Sequence, residues 1–277
     1  METLLKYLKL QDKALPIAGG DINQAFRVTD GQQDYFLKYH PQMTADFFQA
    51  EVDGLAELAK VVRVPKVHES GSFEAAAYLL MEWIEPGEGD QKDLARDLGR
   101  IHHVKADQFG YSVDNFMGLL PQRNTLLDNW WDFYFTNRLE VQIQLANDRN
   151  RWTKHREENY QRFKEWVYQQ WGDMTVEPTL LHGDFWSGNT FFDTKGQPIF
   201  VDPAVSYGHR EMDIAMSQLF GGFRQEFIAA YQETFPMRAG WQDRILIYQL
   251  YYLLVHLNIF GESYGGAVDR VLALGQV

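Results

Sequence analysis

The first third of the chain contains short apolar runs separated by turn residues, a pattern typical of β-strands. Residues 24–29 and 34–39 form two such runs on either side of Asp30-Gly31, and this arrangement predicts a β-hairpin. Further strands are predicted over residues 14–17, 64–68 and 75–84.

The spacing of apolar residues becomes helical directly after the hairpin. Phe47, Val52, Leu55 and Leu58 recur at helical intervals and predict an amphipathic helix over residues 44–60. Its first residue, a threonine, is a candidate N-cap. The predicted order in this part of the chain is therefore three strands, one helix and two strands.

From Pro86 onward the apolar residues recur mainly at helical spacing. Helices are predicted over residues 91–104, 126–145, 151–171, 210–220, 223–234 and 241–260. A β island at residues 179–201 interrupts them and contains a second predicted hairpin. The sequence thus predicts an α+β fold with a small β-rich N-terminal lobe at residues 1–84 and a larger, mostly helical C-terminal lobe at 85–277. A cleft between two such lobes is a common place for a ligand.

Composition and charge exclude several classes of protein. The 277 residues include 26 Lys and Arg against 38 Asp and Glu, a formal net charge of −12, and no cysteine. An acidic chain without a basic run does not favour nucleic acid or a membrane as a partner. The lack of cysteine excludes disulfides, thiol nucleophiles and Cys-ligated metals. Without an apolar signal core or a run of about 18 apolar residues, we expect a cytoplasmic protein.

Candidate chemistry is concentrated in the polar loop at residues 182–189. Asp184 and Asn189 lie five residues apart there, the interval found in the catalytic loop of protein kinases. Asp184 is suited to accept a proton from an attacking hydroxyl, and Asn189 and Asp202 offer the hard oxygen ligands that magnesium prefers. The alternative is a polar turn in which Asp184 and Asn189 bond to the backbone.

Three other places in the sequence are candidates for nucleotide binding. Lys38 ends an apolar strand and Glu51 lies in the next helix, where a phosphate-binding lysine and its carboxylate partner belong in a kinase, although a Lys in a strand and a Glu in a helix more often face solvent. The glycine-rich segment Gly19-Gly20-Asp21-Ile22-Asn23 is suited to approach phosphates, although an ordinary hairpin turn is the alternative. The strand end Met81-Glu82-Trp83-Ile84 would cross between the lobes and offer its backbone to an adenine edge, or be an ordinary strand end.

Several longer motifs are specific enough to compare with known families. They are Leu181-His182-Gly183-Asp184-Phe185-Trp186-Ser187-Gly188-Asn189, Asp202-Pro203-Ala204, Tyr207-Gly208-His209-Arg210-Glu211-Met212-Asp213 and Leu219-Phe220-Gly221-Gly222-Phe223. These motifs closely resemble the fructosamine kinase (ketosamine 3-kinase) family, which is related to aminoglycoside and choline kinases. Further matches run from Asn115 through Gly118, Pro121-Gln122 and Asn124 to Trp131-Asp132-Phe133-Tyr134. The resemblance spans nearly the whole chain and implies a bilobal protein-kinase-like fold.

The resemblance also implies a reaction. It is the ATP-dependent phosphorylation of the sugar 3-hydroxyl of a ketosamine, the adduct of a sugar with an amine, and it amounts to a deglycation-type repair activity. Asp184 is then the catalytic base, Asn189 and Asp202 bind Mg²⁺, and Lys38 with Glu51 orients the ATP phosphates. The acceptor is a ketosamine, either as a small molecule or on a protein lysine.

Three further residues have candidate roles next to the catalytic loop. Related kinases place a carboxylate at the position of Asp213 to hold this loop, with helix capping as the alternative. Trp186 and His209 are candidates for contact with substrate, although Trp is usually a packing residue. Pro203-Ala204 replaces the Phe-Gly of protein kinases, and no A-P-E string is present, so control by an activation loop is not expected.

Other functions are compatible with the same motifs. One alternative keeps the kinase chemistry but changes the acceptor to an aminoglycoside-like or choline-like molecule. Another is a nucleotide-binding protein without catalysis, although every expected catalytic position holds a competent residue. The sequence predicts neither the preferred sugar and amine nor the oligomeric state.

Overall fold

The structure, a computed structural model, describes residues 1–17 and 23–276. A five-stranded antiparallel sheet occupies the N-terminal part, in the order β1-β2-β3-β5-β4. Its elements are helix α1 (Glu2–Tyr7), β1 (Leu15–Pro16), β2 (Gln24–Thr29), β3 (Asp34–His40), helix α2 (Ala45–Leu58), β4 (Val67–Phe73) and β5 (Ala76–Glu82). The predicted order of strands and helix is confirmed, and α1 is an addition to it.

Local interactions explain the boundaries of these elements. The hairpin between β2 and β3 turns at Asp30, whose carboxylate accepts hydrogen bonds from the backbone N–H groups of Gln32 and Gln33 at 2.8 and 2.9 Å. Thr44 stands at the N-cap position of α2, but its hydroxyl makes no capping bond. The strand predicted at residues 64–68 was placed too early. It begins after Pro65, which lacks a backbone donor, and continues through polar residues as the edge strand β4.

The two faces of the sheet pack into different hydrophobic cores, because successive side chains of a strand point to opposite faces. On one face, Leu37 packs with Val28 and with Leu4 and Leu5 of α1 in a small core of its own. On the other face, Leu79 and other residues of β5 join the main core, which includes residues of α2 and of the helical part of the chain. Lys38, next to Leu37 on β3, therefore lies on the side of α2.

The C-terminal part is mainly helical. Its elements are β6 (Pro86–Gly87), α3 (Gln91–His102), β7 (Asn115–Met117), β8 (Leu120–Gln122), α4 (Trp130–Phe133), a π-helical segment (Tyr134–Leu139), α5 (Glu140–Asp148), α6 (Lys154–Trp171), β9 (Thr179–Leu181), β10 (Thr190–Asp193), β11 (Pro198–Phe200), β12 (Ser206–Gly208), α7 (Glu211–Leu219), α8 (Gln225–Thr234), α9 (Trp241–Phe260) and α10 (Gly265–Leu272). Each predicted helix and the hairpin of the β island are present. The strands β6, β7, β8 and β12 and helix α10 are additions to the prediction.

The helix predicted at residues 241–260 is present and is largely buried. Helix α9 carries two adjacent buried tyrosines, Tyr251 and Tyr252, at the centre of the main core. No helix in the described ranges 1–17 and 23–276 is long and apolar enough to cross a membrane. We keep the lobe division at residues 84 and 85 as a proposal, since β5 ends at Glu82 and β6 already pairs with β10 of the helical part.

Candidate active site

The loop that follows β9 places Asp184 and Asn189 side by side. A short 3₁₀ turn at Ser187–Asn189 brings the chain back, so that the Asn189 Nδ2 donates to the Asp184 carboxylate at 2.9 Å and to the Asp184 carbonyl at 2.9 Å. This pairing orients the asparagine amide, because its N–H groups both point toward Asp184. The side-chain oxygen of Asn189 is then left for another partner.

The environment of Asp184 makes it a candidate base near neutral pH. Burial of the carboxyl raises the pKa of Asp184 to about 7, with a further increase from nearby Asp213, while the hydrogen bond from Asn189 acts in the opposite direction. A general base works best when its pKa lies close to the working pH. The location of Asp184 thus suits proton abstraction from a weakly acidic group such as a sugar hydroxyl.

Asp213 anchors the backbone of the catalytic loop from the first turn of α7. Its carboxylate is fully buried and accepts hydrogen bonds from the N–H groups of His182 and Gly183 at 2.7 and 2.9 Å. Gly183 has φ +88°, and a Cβ atom there would collide with the Ala204 carbonyl, so glycine is required. The hydroxyl of Tyr252 donates to the Gly183 carbonyl at 3.1 Å. The loop is therefore fixed from two helices.

Two buried histidines complete this anchor. The His102 Nε2 lies 3.1 Å from the Asp213 carboxylate, and its Nδ1 lies 2.7 Å from the Tyr231 hydroxyl. His182 donates through Nε2 to the Val201 carbonyl at 3.0 Å, so its Nδ1 is left to accept from the Asp184 N–H at 3.3 Å. Burial lowers the pKa of both histidines, which favours these neutral tautomers.

A second group of charged side chains forms where the sheet meets β11. Lys38 is buried and donates to Glu51 of α2 at 2.7 Å, and it also contacts the Asp202 carboxylate. The period-two alternation of β3 directs Lys38 toward α2, and the helix presents Glu51 to it. The structure thus brings together three of the residues that the sequence singled out, from positions 38, 51 and 202.

Asp202 adopts a left-handed backbone conformation with φ +54°. This region is uncommon for residues other than glycine, but Asp tolerates it better than most. The preceding residue, Val201, donates its N–H to the Asn189 carbonyl at 3.0 Å. Asp202 is therefore held beside Asn189, and its carboxylate remains partly exposed.

The β7–β8 hairpin holds the segment that follows Asp202. Asn115 donates to the Val205 carbonyl at 2.8 Å, and Gln122 donates to the Ala204 carbonyl at 3.1 Å. Both amides are buried, and Gln122 in turn accepts from the hydroxyl of Tyr251 at 2.8 Å. Both amides lie in motifs that match the family, but their role could not be predicted from the sequence, because side-chain bonds to distant backbone leave no local signal.

Arg138 adds a third contact to the same segment. It lies in the π-helical stretch, a feature often found near functional sites, and is buried. Its Nη2 donates to the Ser206 hydroxyl at 3.0 Å and to Asn124 at 2.9 Å. We call Asn115, Gln122 and Arg138 the clamp, since together they fix the chain directly after Asp202.

The strand end predicted to meet adenine connects the sheet to the helical part. Glu82 pairs with Arg63 and accepts from the Lys66 N–H at 3.0 Å, so its side chain is engaged in the sheet. The Trp83 ring lies under the guanidinium of Arg27 at 4.6 Å and stacks with Phe36. Met81 is buried in the main core, and Ile84 is partly exposed. Contact of this backbone with adenine stays a prediction.

The remaining predicted site residues fall in different surroundings. The segment Gly19-Gly20-Asp21-Ile22 lies outside the described residues, and Asn23 stands directly before β2. Trp186 is 37% exposed beside Asp184. His209 is only 8% exposed and bonds to the Tyr248 hydroxyl at 2.7 Å beneath Trp130. This burial does not support a contact between His209 and substrate, and favours a packing role.

Comparison with known proteins agrees with the motifs of this site. A family model described as fructosamine kinase matches residues 2–274. The chain belongs to the fructosamine kinase family. A protein described as a "probable ketoamine kinase" from Enterococcus faecium is 57% identical over 98% of this chain and 98% of its own. The chloroplastic protein-ribulosamine 3-kinase of Arabidopsis thaliana is 34% identical over 92% of this chain and 80% of its own.

Solved structures share the fold of this fructosamine kinase family member. A crystal structure of a candidate fructosamine-3-kinase from Haemophilus somnus superposes with a TM-score of 0.87 at 27% identity, covering 97% of this chain and 92% of the other. An aminoglycoside phosphotransferase bound to ADP and hygromycin B has a TM-score of 0.63 at 15% identity, covering 98% and 97%. The bilobal protein-kinase-like fold is thus confirmed.

The oxygen donors of this fructosamine kinase family member fit a magnesium ion. Within residues 1–17 and 23–276, no hydrogen bond occupies the side-chain oxygen of Asn189, and the Asp202 carboxylate is partly exposed. The same ranges hold no group of three or more His, Asp or Glu side chains that could by themselves hold a metal ion. Mg²⁺ commonly uses one or two protein carboxylates together with water and substrate phosphates, so this sparse donor set is appropriate.

Proposed function

We propose that the protein is a kinase that transfers the γ-phosphoryl group of ATP to the sugar 3-hydroxyl of a ketosamine. The observation that carries this proposal is the convergence of two residue groups. Asp184 and Asn189 lie on an anchored loop, and Lys38, Glu51 and Asp202 lie next to it. Membership of the fructosamine kinase family and the names of its relatives support a ketosamine acceptor.

Asp184 is the base in this proposal. The oxygen of the sugar hydroxyl attacks the γ-phosphorus, the bond between that phosphorus and the bridging oxygen of ADP breaks, and the hydroxyl proton passes to Asp184. A pKa of about 7 leaves Asp184 partly ionised at neutral pH and able to take this proton. The hydrogen bond from Asn189 keeps its carboxylate oriented toward the acceptor.

The lysine and its carboxylate partner hold the nucleotide phosphates. In the structure Lys38 is shared between Glu51 and Asp202. When a triphosphate enters, we expect the ammonium group to keep Glu51 and to exchange Asp202 for phosphate oxygens. Asn189 and Asp202 would then hold Mg²⁺, which when bound neutralises charge on the phosphates. Asp213 keeps the loop that carries Asp184 in place throughout.

The acceptor is a sugar joined to an amine, either free or on a protein lysine. Trp186 offers a flat exposed ring beside Asp184, suited to the apolar face of a sugar. Phosphorylation of such adducts would serve deglycation. The use of ATP, an intracellular metabolite, supports the cytoplasmic location that we propose.

The test is an acceptor panel with ATP and magnesium. We expect release of ADP with at least one of the ribulosamine, erythrulosamine or fructosamine adducts of a simple amine, and NMR of the product should place the phosphate on the 3-hydroxyl. Aminoglycosides and choline serve as the competing acceptors. Turnover confined to these competitors, or absent with every acceptor, would overturn the proposal.

A further inference from the structure

A row of aromatic rings extends outward from the catalytic loop. The Trp186 ring lies 6.4 Å from Phe220, measured between ring centroids, and Phe220 lies 4.6 Å from His256. His256 continues the row to Phe260 at 5.5 Å and to Tyr264 at 5.0 Å. We call these five residues the aromatic strip. It joins the loop of Asp184 to the C-terminal ends of α7 and α9.

The strip is more exposed than a core requires. Phe220 is 39% and Phe260 is 47% exposed, and His256 and Tyr264 are partly exposed. Single exposed apolar residues need no explanation, but contiguous aromatic rings next to a reactive carboxylate are typical of a ligand surface. Three of the five rings come from α9 and the turn after it, far along the chain from the catalytic loop. Their convergence thus depends on the fold.

Local contacts fix the end of the strip nearest Asp184. A Cβ atom on Gly188 would collide with the Trp186 ring, so this ring lies directly on the glycine backbone. On the other side of Phe220, the His256 ring is held by a hydrogen bond from its Nδ1 to the Tyr252 carbonyl at 2.8 Å. The two rings on either side of Phe220 are therefore preorganised, which reduces the cost of binding a ligand.

We propose that the aromatic strip binds the amine portion of the acceptor and gives preference to amines that carry an aromatic or apolar group. This inference rests on the proposed ketosamine kinase activity. In a ketosamine, the carbon that carries the amine is two carbons from the one that carries the 3-hydroxyl. When that hydroxyl reaches Asp184, the amine lies next to Trp186, and its substituent extends toward Phe220 and Phe260.

The chemistry of the amine fits these rings. The secondary amine of a ketosamine is cationic near neutral pH, and a cation is attracted to the face of an indole. Beyond the amine, an aromatic substituent can pack edge to face against Phe220 or His256. The substituent takes no part in the transfer of the phosphoryl group, so the strip should affect KM more than kcat.

The test compares two adducts of the sugar that the enzyme accepts best, one with phenylethylamine and one with ethanolamine. For the unmodified enzyme we expect kcat/KM to be roughly 3- to 10-fold higher with phenylethylamine, mainly through KM, as one aromatic contact allows. In Phe260→Ser this ratio should fall toward one. The control is Leu246→Ser. Leu246 is an exposed residue near the start of α9, about 21 Å from Phe260 along the helix, and this variant should keep the ratio of the unmodified enzyme.

The possible outcomes separate this inference from the proposed function. Equal kcat/KM values for the two adducts, or a preference that Phe260→Ser leaves unchanged, would overturn the role of the strip while leaving ketosamine kinase activity intact. No turnover with either adduct, in an enzyme that is also inactive across the acceptor panel, would overturn the proposed function and the strip with it. A second variant, Phe220→Ser, should reproduce the loss of preference, and failure to do so would contradict the inference.

Discussion

The two halves of the site are held in place by different kinds of interaction. On the side of the catalytic loop, the Asp213 carboxylate is fully buried and bonds to backbone N–H groups and to His102. On the phosphate side, Lys38 bonds to the carboxylates of Glu51 and Asp202, and the Asp202 side chain is 41% exposed. The first arrangement is fixed by the fold, whereas the second consists of side-chain ion pairs that a ligand can replace.

The difference corresponds to the role of each half in the proposed reaction. A general base has to stand at the right distance and angle before the acceptor arrives, and fixed backbone bonds provide this. Phosphate and metal ligands have to exchange partners in every turnover, and an ion pair with a partly exposed carboxylate, such as that of Asp202, allows this exchange. We therefore expect variants on the loop side to affect folding and catalysis together, and variants on the phosphate side to affect mainly the nucleotide.

The largest effect on stability is expected from Asp213→Asn. The amide replaces one acceptor oxygen by a donor, so one of the two backbone N–H groups at 182–183 loses its partner in a buried place. We expect the free energy of unfolding to fall by about 3 kcal/mol, together with a large loss of kcat. Chemical denaturation and steady-state kinetics measure both. Asp173→Asn, at an exposed position, is the control, and an equal effect of both variants would contradict the anchor.

Acidification should weaken the same side of the site. Burial lowers the pKa of His102 and His182 and places that of His209 well below 6.5. Below pH 6.5 the unfolded chain therefore binds protons that the folded protein does not. Each histidine should reduce stability by up to about 1.4 kcal/mol per pH unit in this range, and the contribution returns as the pH rises above it. Imidazole ¹⁵N spectra should show that these rings titrate at a lower pH than a free histidine side chain, and titration at the same or a higher pH would refute this explanation.

A smaller loss of stability is expected from Gln122→Leu, which removes one member of the clamp. Leucine fills a similar volume but leaves the Ala204 carbonyl and the Tyr251 hydroxyl without their partner. We expect a loss of about 2 kcal/mol of unfolding free energy. Because the clamp fixes the chain after Asp202, half-maximal activity should require a higher magnesium concentration. The Kd for Mn²⁺ in the presence of nucleotide, measured by electron paramagnetic resonance, should also rise. The control is Gln161→Leu, at an exposed position of α6, which should change none of these values.

The smallest effect on stability is expected from Glu51→Gln. The amide still accepts from Lys38, and Asp202 remains as a second partner. The free energy of unfolding should therefore change by about 1 kcal/mol or less. The KM for ATP should nevertheless rise several-fold, because without the charge of Glu51 the Lys38 ammonium pairs more strongly with Asp202 and is less available to the phosphates. A large loss of stability with an unchanged KM for ATP would reverse the comparison between the two halves.

Much of the site could be predicted from the sequence because its signals are local. Asp184 and Asn189 share one loop, and Lys38 and Glu51 lie on a predicted strand and the helix that follows it, where a kinase places its phosphate-binding lysine and the carboxylate partner. The long amphipathic and buried helices were predicted for the same reason. Where a residue's neighbours in the chain also determine its position in space, sequence patterns were sufficient.

The parts that were not predicted depend on contacts between distant segments. His102 meets Asp213 from 111 residues away, and Gln122 meets the Ala204 carbonyl from 82 residues away. Neither contact has a periodicity to reveal it. Helix α1 has only 6 residues and is stabilised by packing on the sheet, so its own pattern is too short. His209 is a candidate for substrate contact by its place in the motif at residues 207–213, but its burial is a property of the fold.

The central claim is that Asp184 takes the proton while other residues hold the nucleotide, and Asp184→Asn tests it directly. Turnover of the best ketosamine and the affinity for ATP, measured by calorimetry, should be determined on the same preparation. We expect kcat to fall by roughly 10²- to 10⁴-fold, the range for loss of a general base, with the affinity for ATP almost unchanged. Retention of most of the turnover, or a loss explained by weaker binding of ATP, would contradict the assignment.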